Sequence, residues 1–217
     1  MPDLLENIAP LVDGYISWDD TRNKELWYHE GSVRNALIEA ARTIGADWVL
    51  AVDPDERFER RAARSIRWRT LVKRNIVYGF DFRELYTPTS YRVDGIWGEK
   101  VRWNLFPLRR GQTFHDLPVH SPWHPTNPGI RFARIDVNLY HLKMIDERNR
   151  VTRRELYEQL DPRAEIQKIG YAYLTDESSL VLETMPAGRE YHPAYRDDYG
   201  LTQTGDPPAS PQASPGD

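Results

Sequence analysis

The sequence predicts an α/β fold built on an open, mostly parallel sheet flanked by helices, and two observations carry that reading. The first quarter alternates helix, strand, helix and strand in its hydrophobic pattern, and both strands run into aspartates. The second of those strands, from Asp47 to Val52, is a continuous apolar run bounded by acids, as expected of a strand buried on both faces of a parallel sheet. Open sheets of this kind bind ligands beyond the carboxyl ends of their strands. The aspartates therefore mark where a site is expected.

Taken in order, Leu4 to Val12 reads as a short helix leading into Asp13-Gly14. Tyr15 to Trp18 reads as a strand ending at Asp19 and Asp20. Ser32 is placed to cap a helix from about Val33 to Thr43, with Val33, Ala36, Leu37, Ala40 and Ile44 at helical spacing and Gly45 to stop it. Glu56 to Arg74 has a helical pattern, with Phe58, Ala62 and Ile66 on one stripe. From Ile76 to Tyr140 the alternation, broken by Gly and Pro, predicts short antiparallel strands and loops, among them Val77 to Phe82 and Ile130 to Ile135. Met144 to Leu160 reads as a charged helix closed by Asp161-Pro162, and a second short helix is expected around Glu165 to Tyr173.

At 217 residues the chain suits one domain, here residues 1–185, followed by a Pro/Gly/Ser-rich tail over 186–217 whose last dozen residues are expected to be disordered. Hydrophobic residues make up 40% and charged residues 29%, ordinary values for a soluble globular protein. No apolar run approaches the roughly 18 residues a membrane span needs, and the first residues lack a signal pattern. There is no cysteine, which excludes disulfides and thiolate metal sites and fits a cytoplasmic location. The net charge of −4 argues against wholesale nucleic-acid binding.

Asp53-Pro54-Asp55-Glu56 follows the apolar strand directly. In an extended segment, residues i and i+2 project to the same side, so both aspartates can face one ion. Pro54 narrows the conformations open to them. Mg2+ or Mn2+ takes oxygen ligands, typically one or two carboxylates with substrate phosphates completing the shell. A helix-capping role for Asp55 or Glu56 is the plain alternative.

The stretch GSVRNALIEAARTIGADWVLAVDPDERFE resembles a segment of bacterial family 2 glycosyltransferases: glycine, then Arg-Asn, a helix, an Asp-Trp strand and an acidic D-x-D-E. VDGYISWDDTRN and the later YHLKMIDERNRVTRRELYEQLDP with IGYAYLTDE are similar to other parts of that family. The resemblance implies a GT-A fold, a nucleotide-diphosphate sugar donor, Mn2+ or Mg2+, an unidentified glycan, lipid or protein acceptor, and a place in the cytoplasm or against a membrane. By the same likeness Asp19, Asp20, Arg34, Asn35 and Asp53 hold the donor. Asp53 and Asp55, with the late histidine His141, hold the metal. The base that takes the acceptor's proton falls on Asp116, after Gly111, with Asp94 and Glu99 as rivals. The family begins with a strand ahead of the first helix. This chain begins at the helix, which the resemblance reads as a late start, a trimmed domain or an impaired enzyme.

His115, His120 and His124 have loose, proline-broken spacing and read as loop residues rather than zinc ligands. Arg57 to Arg74 holds seven Arg and Lys73 against the single acid Glu59. It reads as a solvated face above Phe58 and Ile66, with contact to nucleic acid or to an anionic membrane surface as its other use. A metal-dependent phosphoesterase and a non-catalytic nucleotide or sugar binder are the alternative functions.

Overall fold

The computed structural model describes residues 2–18, 30–72, 75–115, 122–126 and 128–196. Within them the chain forms helix α1 (Pro2–Ile8), α2 (Glu30–Thr43), strand β1 (Trp48–Leu50), β2 (Glu56–Phe58), α3 (Ala62–Thr70), β3 (Ile76–Thr87), β4 (Ser90–Arg92), β5 (Val101–Pro107), β6 (Arg131–His141), α4 (Glu147–Leu160) and β7 (Leu182–Thr184). The main sheet runs β1-β5-β3-β6-β2, and a second arm, β3-β4-β7, leaves from the far end of β3. This is an α/β fold with a mixed sheet. Of its described ladders only β3–β6 is parallel, whereas β1–β5, β2–β6, β3–β5, β3–β4 and β4–β7 are antiparallel. The expectation of mostly parallel pairing does not hold for these residues.

Side-chain alternation places helices on both faces. One face of the sheet carries Phe58, Tyr78, Phe80, Phe82, Leu105, Ile135, Val137 and Leu139, covered by Leu4, Ile8 and Leu11 from the α1 region and by Ala62 and Ile66 of α3. Phe58 and Phe80 meet edge to face, with centroids 4.9 Å apart. The other face carries Val77, Phe106 and Leu108 and is covered by Ile38 and Ala41 of α2. In β1, Trp48 and Leu50 turn to the first face while Val49 turns to the second. That strand has apolar neighbours on both faces, but as the antiparallel edge of the sheet it is half-buried rather than fully buried.

Several elements differ from their sequence reading. Helix α2 begins at Glu30 rather than at Val33, and it ends as expected at Gly45, which has φ +74° and donates its N–H to the Arg42 carbonyl. Tyr15 to Trp18 forms no strand. The expected helix from Glu56 is split: Glu56–Phe58 pairs with His141–Leu139 as β2, and α3 starts only at Ala62. Phe58 is held there because Asn7 both accepts from its N–H (2.7 Å) and donates to its carbonyl (2.9 Å). In place of a helix at 165–173 there is a loop and a 3₁₀ turn at Ala172–Leu174. Residues 186–196, grouped with the tail by composition, pack on the domain: Tyr191 is buried and bridges Glu59.

Candidate functional site

The row of core side chains on the first face ends in titratable groups. Along β3, Phe80 and Phe82 are followed two residues on by Glu84; along β6, Val137 and Leu139 by His141; along β2, Phe58 is preceded by Glu56. The registers Glu84↔His141 and Glu56↔His141 set the three side by side. All three are buried. The Asp53–Glu56 stretch crosses the same end of the sheet as a turn, closed by the Glu56 N–H donating to the Asp53 carbonyl at 3.1 Å. It is a turn rather than the extended run read from sequence. The Asp55 carbonyl accepts from the Leu142 N–H at 2.9 Å, which fixes the turn to the end of β6.

His141 is the hub. Its Nδ1 lies 2.5 Å from a Glu84 oxygen and its Nε2 lies 3.3 Å from Asp55 Oδ2. Burial alone would lower its pKa, but the two carboxylates outweigh burial and push it up to about 9. For Asp55, burial works upward while the His141 charge and hydrogen bond hold the carboxyl far below its usual range. Burial likewise opposes ionisation of Glu84, and Lys100 with His141 more than offsets it. Lys100 donates to Glu84 at 3.1 Å and sits 3.9 Å over the Trp97 ring.

Asp53 faces a second cation. Arg102 donates to Glu56 Oε1 at 2.5 Å and approaches Asp53 Oδ2 at 3.9 Å. Burial and the neighbouring Asp55 raise the Asp53 pKa. Burial pushes Glu56 up to about 7 in spite of Arg102. Glu56 also accepts from the Asp53 N–H at 3.1 Å, so it shapes the turn from within. The Trp123 ring lies between two guanidinium groups, Arg34 at 4.1 Å and Arg102 at 4.3 Å from its centroid. Arg34 also bonds Glu30 and the Pro122 carbonyl, both at 2.9 Å. Arg34, Lys100, Arg102, Lys143 and Arg153 all bear electrostatically on these acids. An acidic pair inside a ring of cations suits an anion that carries a metal.

The structure thus brings Asp53, Asp55, His141 and Arg34 together. It does not bring Asn35 with them, because both ends of that amide are taken by the Phe114 backbone, with the N–H donating to Oδ1 at 2.7 Å and Nδ2 donating to the carbonyl at 3.1 Å. Asn35 holds the 114 loop. Asp94, a rival base, is consumed elsewhere: it accepts from Arg92 twice at 2.7 Å and from the Val181 N–H at 3.1 Å. Glu99 is exposed on a turn. Asp19, Asp20, Asp116 and His120 lie outside the described residues. His124 packs edge-on against Phe132, 5.0 Å away, as a loop histidine would. Sequence reasoning missed Glu84, Lys100, Arg102, Arg153 and Trp123. The signal for Glu84 is an acid continuing the apolar alternation Phe80, Phe82 of a core strand.

Among the described residues, no group of three or more His, Cys, Asp or Glu side chains is spaced to hold a metal alone. Asp55 and His141 do fit two neighbouring positions on one ion, since ligands at right angles on bonds of about 2.1 Å stand about 3 Å apart and their atoms are separated by 3.3 Å. A neutral His141 with its proton on Nδ1, toward Glu84, turns its Nε2 lone pair to the Asp55 side. That is the carboxylate–histidine arrangement by which proteins orient metal-binding imidazoles. In comparisons of the sequence with known proteins, no family model matches the chain and no curated protein matches it.

Proposed function

We propose that the chain is a glycosyltransferase domain of the GT-A type, taking a metal-bound nucleotide-diphosphate sugar as donor. The observation that carries the reading is the Asp53-Pro54-Asp55 turn at the sheet's end, with Asp55 beside a histidine whose other nitrogen is held by Glu84. The sugar nucleotide itself is inferred from the family resemblance around that turn.

In this reading Asp55 and His141 hold Mn2+ or Mg2+, and Asp53 lies across the turn on the Arg102 side. Two protein ligands leave room for diphosphate oxygens, the usual arrangement for Mg2+ at phosphate sites. The bound cation offsets the negative charge that gathers on the departing nucleotide. Arg102, Arg34 and Lys100 supply further positive charge from the protein, already oriented by Glu56, Glu30 and Glu84. Glu84 keeps the His141 ring turned so that Nε2 faces Asp55. Asp116 is retained as the base.

Thermal-shift measurement against a panel of nucleotide sugars, with and without Mn2+, tests the reading. At least one donor should raise the melting temperature in a Mn2+-dependent way, and Asp53→Ala or Asp55→Ala should each abolish that rise while the protein stays folded. If no nucleotide sugar shifts the wild type, the donor site is refuted. Hydrolysis of the donor by water with release of phosphate or sugar phosphate, and no transfer to any acceptor, points instead to a phosphoesterase. Donor binding without turnover points to a non-catalytic binder.

A further inference from the structure

Helix α3 buries one side, while Trp68 on its other side and Leu71 and Val72 just past its end are exposed. Ala62 and Ile66 are buried against the sheet. The opposite face, stepping by four and then three residues, reads Arg64, Trp68 and Leu71, and it faces solvent. Trp68 is 74% exposed, Leu71 70% and Val72 56%. With Arg64, Ser65, Arg67 and Arg69, Trp68 and Leu71 line a shallow depression of about 560 Å³. Arg67 reaches from the helix to the Pro10 carbonyl and to Asp13, at 3.0 and 2.9 Å. Just beyond that anchor Tyr15, Ile16 and Trp18 are exposed as well.

We infer that this face, with Trp68, Leu71 and Val72 set among Arg64, Arg67 and Arg69, docks the protein on an anionic lipid surface. Charge complementarity selects that occupant. The whole chain carries −4, so attraction to a negative surface cannot come from its net charge and must come from this local run of arginines. A lipid interface rewards tryptophan and aliphatic side chains that enter the headgroup boundary beside arginines that stay at phosphate level. A nucleic acid would use the arginines and Trp68 but gain nothing from Leu71 and Val72. No helix among the described residues is long and apolar enough to cross a membrane, so the contact is one of lying on the surface. The inference does not depend on the glycosyltransferase reading.

Co-sedimentation of the full chain with vesicles tests it. The wild type should bind vesicles of phosphatidylcholine mixed with phosphatidylglycerol, bind pure phosphatidylcholine weakly, and dissociate at high salt. Arg64→Glu should weaken binding roughly tenfold, as loss of an arginine near an anionic surface implies. The pair Trp68→Ser and Leu71→Ser should weaken it on the order of tenfold or more through lost apolar burial. Since these side chains are exposed, unchanged melting temperatures should accompany the losses. Failure of the wild type to bind anionic vesicles overturns the inference. So does binding that ignores the Trp68 and Leu71 changes, or tighter binding to an oligonucleotide that depends on Arg64 alone.

Discussion

Glu84 holds Nδ1 of His141 and so sets Nε2 toward Asp55, and when the imidazolium gives up a proton to take a metal, the proton that remains is the one on Nδ1. The oxygen sits 2.5 Å from Nδ1, and Lys100 steadies the carboxylate from its other side. Replacing it by glutamine keeps the shape but weakens the acceptor. Glu84→Gln should therefore lower Mn2+ affinity by roughly 10- to 100-fold, the usual effect of losing such a partner. Titration of the metal in the presence of the donor identified by thermal shift checks this, and an unchanged affinity removes Glu84 from the metal-binding reading. The sequence set Asp53 and Asp55 directly after an apolar strand, where the structure also has them, but it read an extended segment where the chain makes a turn. Glu84 and Arg102 were not legible there, since 57 and 46 residues of chain separate them from His141 and Glu56, and only strand register makes them neighbours. Asn35 misled for the opposite reason: its Arg-Asn context suggests a ligand, whereas its amide stands in for a missing backbone partner of Phe114.

Between elements, single carboxylates replace expected hydrogen-bond ladders. Asp161 accepts from the N–H groups of Glu165, Ile166 and Gln167 at 2.8, 3.1 and 3.0 Å, and from the Tyr171 hydroxyl at 2.9 Å. Donors that a helix at 165–173 would have used internally are captured by one side chain, which is why apolar spacing there did not become a helix. The helical pattern after Glu56 failed similarly, because Asn7 and β6 claim the backbone of Phe58 first. Asp94 plays the same part for the outer arm, joining β4 to the segment entering β7 through Arg92 and the Val181 N–H. Its hydrogen bonds with Arg92 hold its pKa at about 2 against the ordinary 3.8. A depressed carboxylate stabilises the fold above its unfolded-state pKa, and that stabilisation disappears as pH falls through about 2. Asp94→Asn should cost about 1–2 kcal/mol at neutral pH. Chemical denaturation at neutral pH and in acid measures both effects, and the gap between variant and wild type should shrink as acid is added.

Across the whole molecule, the parallel pair β3–β6 lies at the centre and antiparallel strands complete the sheet on both sides. The α/β class read from the first quarter holds, with helices on both faces, although the first of its two expected strands, Tyr15 to Trp18, does not form. Helix-strand alternation could not reveal strand direction, because an apolar run such as Trp48–Leu50 looks the same whether its neighbour runs with it or against it. Among the described residues, α1 meets the segment around His192. Asn7 donates to the carbonyls of Phe58 and His192, at 2.9 and 2.8 Å, so α1, β2 and the segment after Arg189 share one buried amide. Asn7→Ala leaves the buried Phe58 N–H and carbonyl without that partner and should cost about 2–4 kcal/mol, measured by urea unfolding. Truncation before Arg189 should also destabilise, since its guanidinium reaches Glu59 at 2.7 Å and Asp136 at 2.9 Å.

The ion pair of Arg196 with Asp3, at 3.1 Å, brings points nearly two hundred residues apart along the chain into contact. A gene rearranged to splice those two points with a short glycine linker and to start instead at the turn around Gly111, where φ is +78° and a Cβ would meet nothing within 4 Å, would keep the described strands and helices while reordering their synthesis. In such a permutant β6 would emerge before β3, and the central parallel pair would close from the opposite direction.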